Sequence, residues 1–216
     1  MIKKFDLLVS IYIFCIVVSE LMGAKTFPLG NVFGFKLSAS VAIFVFPFIF
    51  TINDVITEVF GKERTRSLIR ASLVVVFLIM VVSIFFTWLP TTARFATSEK
   101  AYDDIFGKSA RIAFASLVAF ALAEFTDVLV FVKIRQRLGK KALWLRNNLS
   151  NFVAQFLDTT IFITLAFYAL NKPFGDNFAF LLGLIIPYWL LKSFVSIAET
   201  PFVYWGVNWL SSEKNK

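Results

Sequence analysis

Six apolar stretches, 5–22, 37–52, 68–89, 110–132, 149–170 and 178–199, divide this chain. Each has the length, or nearly the length, of a helix that crosses a bilayer. A hydrocarbon core takes roughly 20 residues at a rise of about 1.5 Å each. The second stretch is short unless it continues through Thr51-Ile52-Asn53-Asp54. Composition agrees, with 58% of the 216 residues hydrophobic, 17% charged and a mean hydropathy of +0.77. A soluble fold of this size has too small a core to hide that much apolar surface. The chain therefore reads as an all-α integral membrane protein, one transmembrane domain over 1–216, and neither a soluble enzyme nor a disordered chain.

The ends of the chain fit the same reading. Lys3 and Lys4 before an apolar run imitate a signal peptide, but Glu20 stands where a small-residue cleavage site belongs, so the first helix is retained. Pro201 interrupts a last apolar stretch, 202–210, which is too short to cross and reads as a short interfacial helix. Its Trp205 and Trp209 suit a membrane-interface belt.

Basic residues orient the crossings. Lys3, Lys4, Lys62, Arg64, Arg66, Arg70, Lys133, Arg135, Arg137, Lys140, Lys141, Arg146, Lys214 and Lys216 fall on one side. Lys25, Lys36, Arg94, Lys100, Lys108, Arg111 and Lys172 fall on the other. The positive-inside rule puts both termini in the cytoplasm. That bias accounts for the net charge of +8 without nucleic acid as a partner. The segment 90–108, with Glu99, Asp103 and Asp104, reads as a polar outer loop.

Function is carried by polar groups that an anchoring helix would not keep. Glu20, Glu124, Asp127, Asp158 and Lys192 lie inside the apolar stretches, where an unpaired charge costs roughly 2.5–3.5 kcal/mol. Asn148, Asn151, Gln155 and Asp158 step by three and four and so share one helix face; Glu124 and Asp127 share another, and Lys192, Ser196 and Glu199 a third. Asp54, Glu58 and Lys62 form a further row at the inner end of the second stretch. At about 1.5 Å per residue, Glu124, Gln155, Asp158 and Lys192 come to a similar depth. Glu20, near the outer end of the first stretch, falls outside this group. A segment at 123–131 is echoed at 154–162, on stretches that run in opposite directions, and transporters often place a site between such repeats.

The bland readings are interhelical hydrogen bonds for the amides, mutual neutralisation of Lys192 with Glu199 or Asp158, and a solvated helix end for Asp54, Glu58, Lys62 and Arg66. Three carboxylates with fewer buried cations argue instead for a proton or a donor-rich ligand as the missing partner. A carboxylate accepts two parallel bonds from a fork of donors, such as the ring N–H and amine of a guanine-like heterocycle. Phe125, Phe152, Phe156, Tyr188 and Trp189 are candidates for a stacking wall. The chain has no His and one cysteine, Cys15, which removes His-based catalysis and His-ligated metals. No G-x-x-x-x-G-K-[ST] loop is present to bind a nucleotide, and no cofactor is called for.

Four segments carry a resemblance: FPFIFTINDVITEVFG (46–61), ARIAFASLVAFALAEFTDVLVF (110–131), WLRNNLSNFVAQFLDTTIF (144–162) and LLKSFVSIAETPFVYWGVNWL (190–210). They resemble the queuosine precursor transporters, a branch of the vitamin uptake transporters. The resemblance implies a six-helix bacterial inner-membrane importer of 7-deazaguanines, such as the 7-cyano and 7-aminomethyl forms. The family's motif residues fall on Asp54, Glu58, Gly61, Asp127, Arg146, Asn147, Asn148, Gln155, Asp158, Lys192 and Pro201. At 124 many relatives carry Gln where this chain has Glu.

On this reading Glu124, Asp127, Asn151, Gln155 and Asp158 bind the small-molecule 7-deazapurine. Asp54, Glu58, Arg146, Asn148, Lys192 and Glu199 serve gating and pairing. The competing readings are a substrate-binding subunit that needs an external ATPase module, a membrane-embedded acid–base enzyme using Asp127 and Asp158, and a structural protein. Homo-oligomerisation stays open, because no span concentrates small residues on one face.

Overall fold

The computed structural model describes residues 3–32, 34–138, 143–198 and 200–214. In chain order they form α1 (Lys4–Met22), a hairpin of β1 (Thr26–Val32) and β2 (Phe35–Ser40), a 3-10 turn (Val41–Phe44), α2 (Phe46–Phe60), α3 (Lys62–Trp88), α4 (Ala96–Leu138), α5 (Leu143–Phe167), α6 (Phe174–Ala198) and α7 (Thr200–Lys214). Four described segments are long and apolar enough to cross a membrane: Lys4–Met22, Lys62–Trp88, Ala96–Ala123 and Phe174–Phe194. Gln155–Phe167 is a shorter apolar helical segment. Phe14, Phe77, Phe85 and Phe194 point outward and stay exposed. Water would penalise that arrangement, and lipid does not.

The described chain is mostly helical, as expected of an all-α membrane protein, and adds one short hairpin. The stretch 37–52 is not one helix: its first residues are strand and its next four a 3-10 turn. β1 and β2 pair antiparallel from Thr26 opposite Ser40 to Val32 opposite Phe35, with an irregularity between Pro28 and Gly30. Gly34, at a φ of 83°, supplies the left-handed position that turns the chain. β2 lies against α6, and Ala39 and Ser40 are buried. The cover is one-sided, since Pro28 to Asn31 of β1 are exposed.

The outer loop also proves shorter than expected, because α4 begins at Ala96. Glu99 in its first turn suits the positive end of the helix dipole. With 43 residues α4 extends about 65 Å, well beyond a hydrocarbon core. Pro201 falls in the first turn of α7, where a missing N–H costs nothing.

Side chains tie the helix ends into two groups. At one end, the Phe5 ring meets Phe60 edge-on at 5.0 Å, and the Arg64 guanidinium sits 4.9 Å from the Phe5 ring centre. Lys4 Nζ there donates to the Trp209 carbonyl and the Ser212 hydroxyl, each at 2.6 Å. At the other end, Ser109 Oγ donates to the Leu21 carbonyl at 2.8 Å. Arg111 donates to the Leu165 and Tyr168 carbonyls at 2.7 and 2.6 Å, capping the C-terminus of α5. Asn177 closes the α5–α6 turn: its amide donates to the carbonyl of Ala169 and accepts from that residue's N–H.

Beside a small buried cluster of Ile112, Ala115 and Ala166, two larger ones fill the bundle. One holds Tyr12, Cys15, Ile49, Ile52, Ile56 and Leu68. The other holds Ala39, Ile163, Leu181, Leu184, Ile185 and Tyr188. Phe46 packs against both, and a cavity opens beside it.

Candidate functional site

The cavity has a volume of about 250 Å³ and takes its walls from β2, the 3-10 turn and helices α1 to α6. Each helix contributes a stripe at helical spacing. From α1 come Tyr12, Ile16, Ser19, Glu20 and Gly23; from α3 Ile69, Ser72, Leu73 and Val76; from α4 Ile112, Ser116, Ala119 and Phe120. α2 adds Phe46 and Asn53, α5 adds Asp158 and Phe162, and α6 adds Tyr188 and Lys192. The α1 stripe alone runs about 16 Å along the helix, so the cavity is elongated.

Its polar groups are unevenly paired. Lys192 Nζ donates to Asp158 Oδ2 at 2.8 Å. Their side chains keep 15% and 30% of their accessible surface, so the pair is reached from the cavity and not sealed off. The Tyr188 hydroxyl donates to the Ser40 carbonyl at 3.2 Å. Ser40 Oγ donates to the Gly23 carbonyl at 2.6 Å and accepts from the Ala42 N–H. This one serine thus joins the end of α1, the hairpin and α6 on the cavity wall. Ser72 and Asn53 flank the Tyr12 hydroxyl, and Ser116 stands beside Glu20. Glu20 Oε2 and Asn53 Oδ1 are buried without a hydrogen-bond partner.

The structure brings some of the expected site together and leaves some apart. Asp158 and Lys192 meet on the cavity wall, one of the two pairings that the sequence offered for the lysine. Gln155, half-buried on α5, is not among the lining residues. Asp54 and Glu58 are exposed on α2, and the inward position belongs to their neighbour Asn53. Glu124 and Asp127 fall within α4, and Arg146, Asn148 and Asn151 within α5. Their side chains lie outside the described residues, as does Glu199 altogether.

The aromatic wall differs too. Phe152 and Phe156 pack on Trp189, with ring centres 4.5 and 5.1 Å away, and both phenylalanines are exposed on their other side. Of the expected wall only Tyr188 lines the cavity, where Phe46, Phe120 and Phe162 join it. Phe125 lies outside the described side chains. Sequence reasoning missed two polar groups. Glu20 was set apart from the group by depth, yet it lines the same cavity as Asp158 and is only 6% exposed. Asn53 carried a signal as a polar residue amid apolar neighbours, one place from the acidic row that drew attention.

Comparison with known proteins places this cavity in a family. Residues 40–206 match the family described as "Putative vitamin uptake transporter". A "Probable queuosine precursor transporter" of Bacillus subtilis (strain 168) is 31% identical over 196 residues, covering 88% of this chain and 79% of the relative. One of the same description from Haemophilus influenzae is 31% identical over 174 residues, covering 80% and 70%. The "Queuosine precursor transporter" of Escherichia coli (strain K12) is 33% identical over 125 residues, covering 58% and 53%. No solved structure matches. The family match runs from the hairpin's last strand residue through α2 to α6 and into the first half of α7: the chain belongs to the vitamin uptake transporter family.

Proposed function

We propose that this chain imports 7-deazaguanine precursors of queuosine across the bacterial inner membrane and that the central cavity is its binding site. The observation that carries this reading is a largely apolar cavity that holds a reachable ion pair, Asp158 with Lys192, among membrane-length helices. Charged groups at such depth persist where they serve a pathway. The volume of about 250 Å³ lies just under the roughly 300–1,000 Å³ of drug-sized sites, which suits a flat bicyclic heterocycle. Phe46, Phe120, Phe162 and Tyr188 supply π-faces for a base. The relatives' names supply the substrate class.

Within this reading Asp158 binds substrate, with Glu124, Asp127, Asn151 and Gln155 contributing from α4 and α5 as the bundle moves. Lys192 positions Asp158 through their 2.8 Å contact. Asp54, Glu58, Arg146, Asn148 and Glu199 belong to a gate at the cytoplasmic ends of their segments. The chain forms a single domain that crosses the membrane six times with both termini inside. Family membership favours transport over catalysis at the paired carboxylates.

The test is uptake of labelled 7-deazaguanines by cells that cannot make them, at matched membrane expression. Wild type is expected to restore uptake and Asp158→Asn to abolish it. Glu124→Gln is expected to retain uptake with an altered preference between cyano and aminomethyl forms. A well-expressed wild type that takes up neither would overturn the solitary importer in favour of a subunit energised by an ATPase.

A further inference from the structure

We propose that Glu20, assisted by Asn53, is the group that receives the ligand's pair of donors, and that it makes the cavity selective for heterocycles bearing an exocyclic amine. The inference rests on the cavity being the 7-deazaguanine site.

Three described residues of the wall carry ionisable acids or amines: Glu20, Asp158 and Lys192. Asp158 already accepts from Lys192 at 2.8 Å. Glu20 is different, because it is 6% exposed and its Oε2 has no partner. The hydroxyl beside it, that of Ser116, serves at most one of the carboxylate's lone pairs. On the same cavity wall, beside the Tyr12 hydroxyl, Asn53 Oδ1 is a second buried acceptor without a donor. Both unanswered lining groups are acceptors, so the ligand that completes the wall must bring donors.

A ring N–H with an adjacent amine is such a ligand. Its two parallel N–H bonds match the two oxygens of one carboxylate. Lys192 has protons beyond the one it gives Asp158 and can meet the carbonyl of the same ring. This assigns the donor fork to Glu20 on α1 and leaves the Asp158–Lys192 pair to meet the carbonyl side of the ring. A heterocycle without the amine leaves a buried carboxylate oxygen unpaired, and sites built that way reject such analogues strongly.

The experiment measures equilibrium binding to purified protein in lipid nanodiscs. The probes are 7-cyano-7-deazaguanine and the same ring lacking its exocyclic amine. Wild type is expected to prefer the amine-bearing ring by at least about tenfold. In Glu20→Gln, affinity for that ring falls about tenfold or more and the preference shrinks to about twofold, while Asp158→Asn weakens both probes alike. Glu20→Asp, which keeps the charge but draws the oxygens back, is expected to lose less than Glu20→Gln. Retention of the wild-type preference by Glu20→Gln overturns the assignment, and so does a wild type that binds both rings equally, which needs no variant to fold. A monodisperse wild type that binds neither ring overturns the substrate class itself, a result distinct from the other two.

Discussion

Asp158 and Lys192 show how far a single residue's role can be read from spacing. The row Asn148, Asn151, Gln155 and Asp158 marks one face of α5, and α6 presents Lys192 at matching depth, so their meeting at 2.8 Å was legible. Glu20 was not. Its distance from the helix end suggested the outer interface, but the hairpin returns over the end of α1 and Ser40 bonds the Gly23 carbonyl there. Depth along a helix says nothing about what folds over its end. The pair also makes a prediction. Removing one partner strands the other's charge in a low-dielectric wall, which costs about 3–5 kcal/mol for a fully buried pair. Both side chains keep some access, so Asp158→Asn and Lys192→Met should each cost less than that range. The double variant is expected to melt closer to wild type in detergent than either single variant does, without recovering uptake. Independent, additive losses in the double variant would show that the two side chains are not coupled.

The elements depend on a few glycines that hydropathy cannot distinguish from any other small residue. Gly61 alone separates α2 from α3, at a φ of 85° and a ψ of 164°. That region is nearly closed to residues with a Cβ and costs about 1–3 kcal/mol to occupy. Gly61→Ala is therefore expected to destabilise the protein by that amount, read as a lowered melting temperature, although nothing would crowd its new methyl group. A melting temperature equal to wild type would mean that the turn relaxes freely. Gly183 on α6 has the opposite limitation. A Cβ there would run into the Lys36 carbonyl of β2. Gly183→Val is expected to push the hairpin off α6 and loosen the Tyr188–Ser40 contact, so that trypsin cleaves at Lys36 or Lys25 faster than in wild type. Unchanged cleavage would show that the hairpin is held elsewhere. This hairpin is the element that sequence reading lost. Leu37 to Ile52 is apolar enough to pass as a span, and hydropathy does not register that a strand and a 3-10 turn precede the helix. The punctuation that marks it, Pro28, Gly30 and Gly34, lies upstream of the apolar run.

Across the whole molecule, the contacts between helix ends fix how the chain travels. Phe5 touches Phe60 and Arg64, so the hairpin, the 3-10 turn and α2 together bring the chain back to the end where α1 began. Ser109 bonds the end of α1, and Arg111 bonds the end of α5, so the ends of those two helices meet α4 about 20 Å along from its start at Ala96. Lys4 then bonds α7, which requires α6 to return to the starting end. The six passes proposed above agree with these contacts if the hairpin and turn supply part of the second, since α2 has only 15 residues. Basic residues decide which end faces the cytoplasm. Cys15 is the sole cysteine and is buried, so a Cys15→Ala background makes labelling direct. Lys62, Lys108 and Lys172 are exposed: Lys62 opens α3, Lys108 adjoins Ser109 on α4, and Lys172 lies in the α5–α6 turn. Lys108→Cys and Lys172→Cys are expected to react with a membrane-impermeant maleimide on intact cells, and Lys62→Cys only after permeabilisation. The reverse pattern would invert the protein in the membrane and turn the gate assigned to Asp54 and Glu58 toward the outside. Labelling of all three from outside would break the link between helix-end contacts and crossings, since Lys62 lies beside the end that Phe5 and Phe60 share.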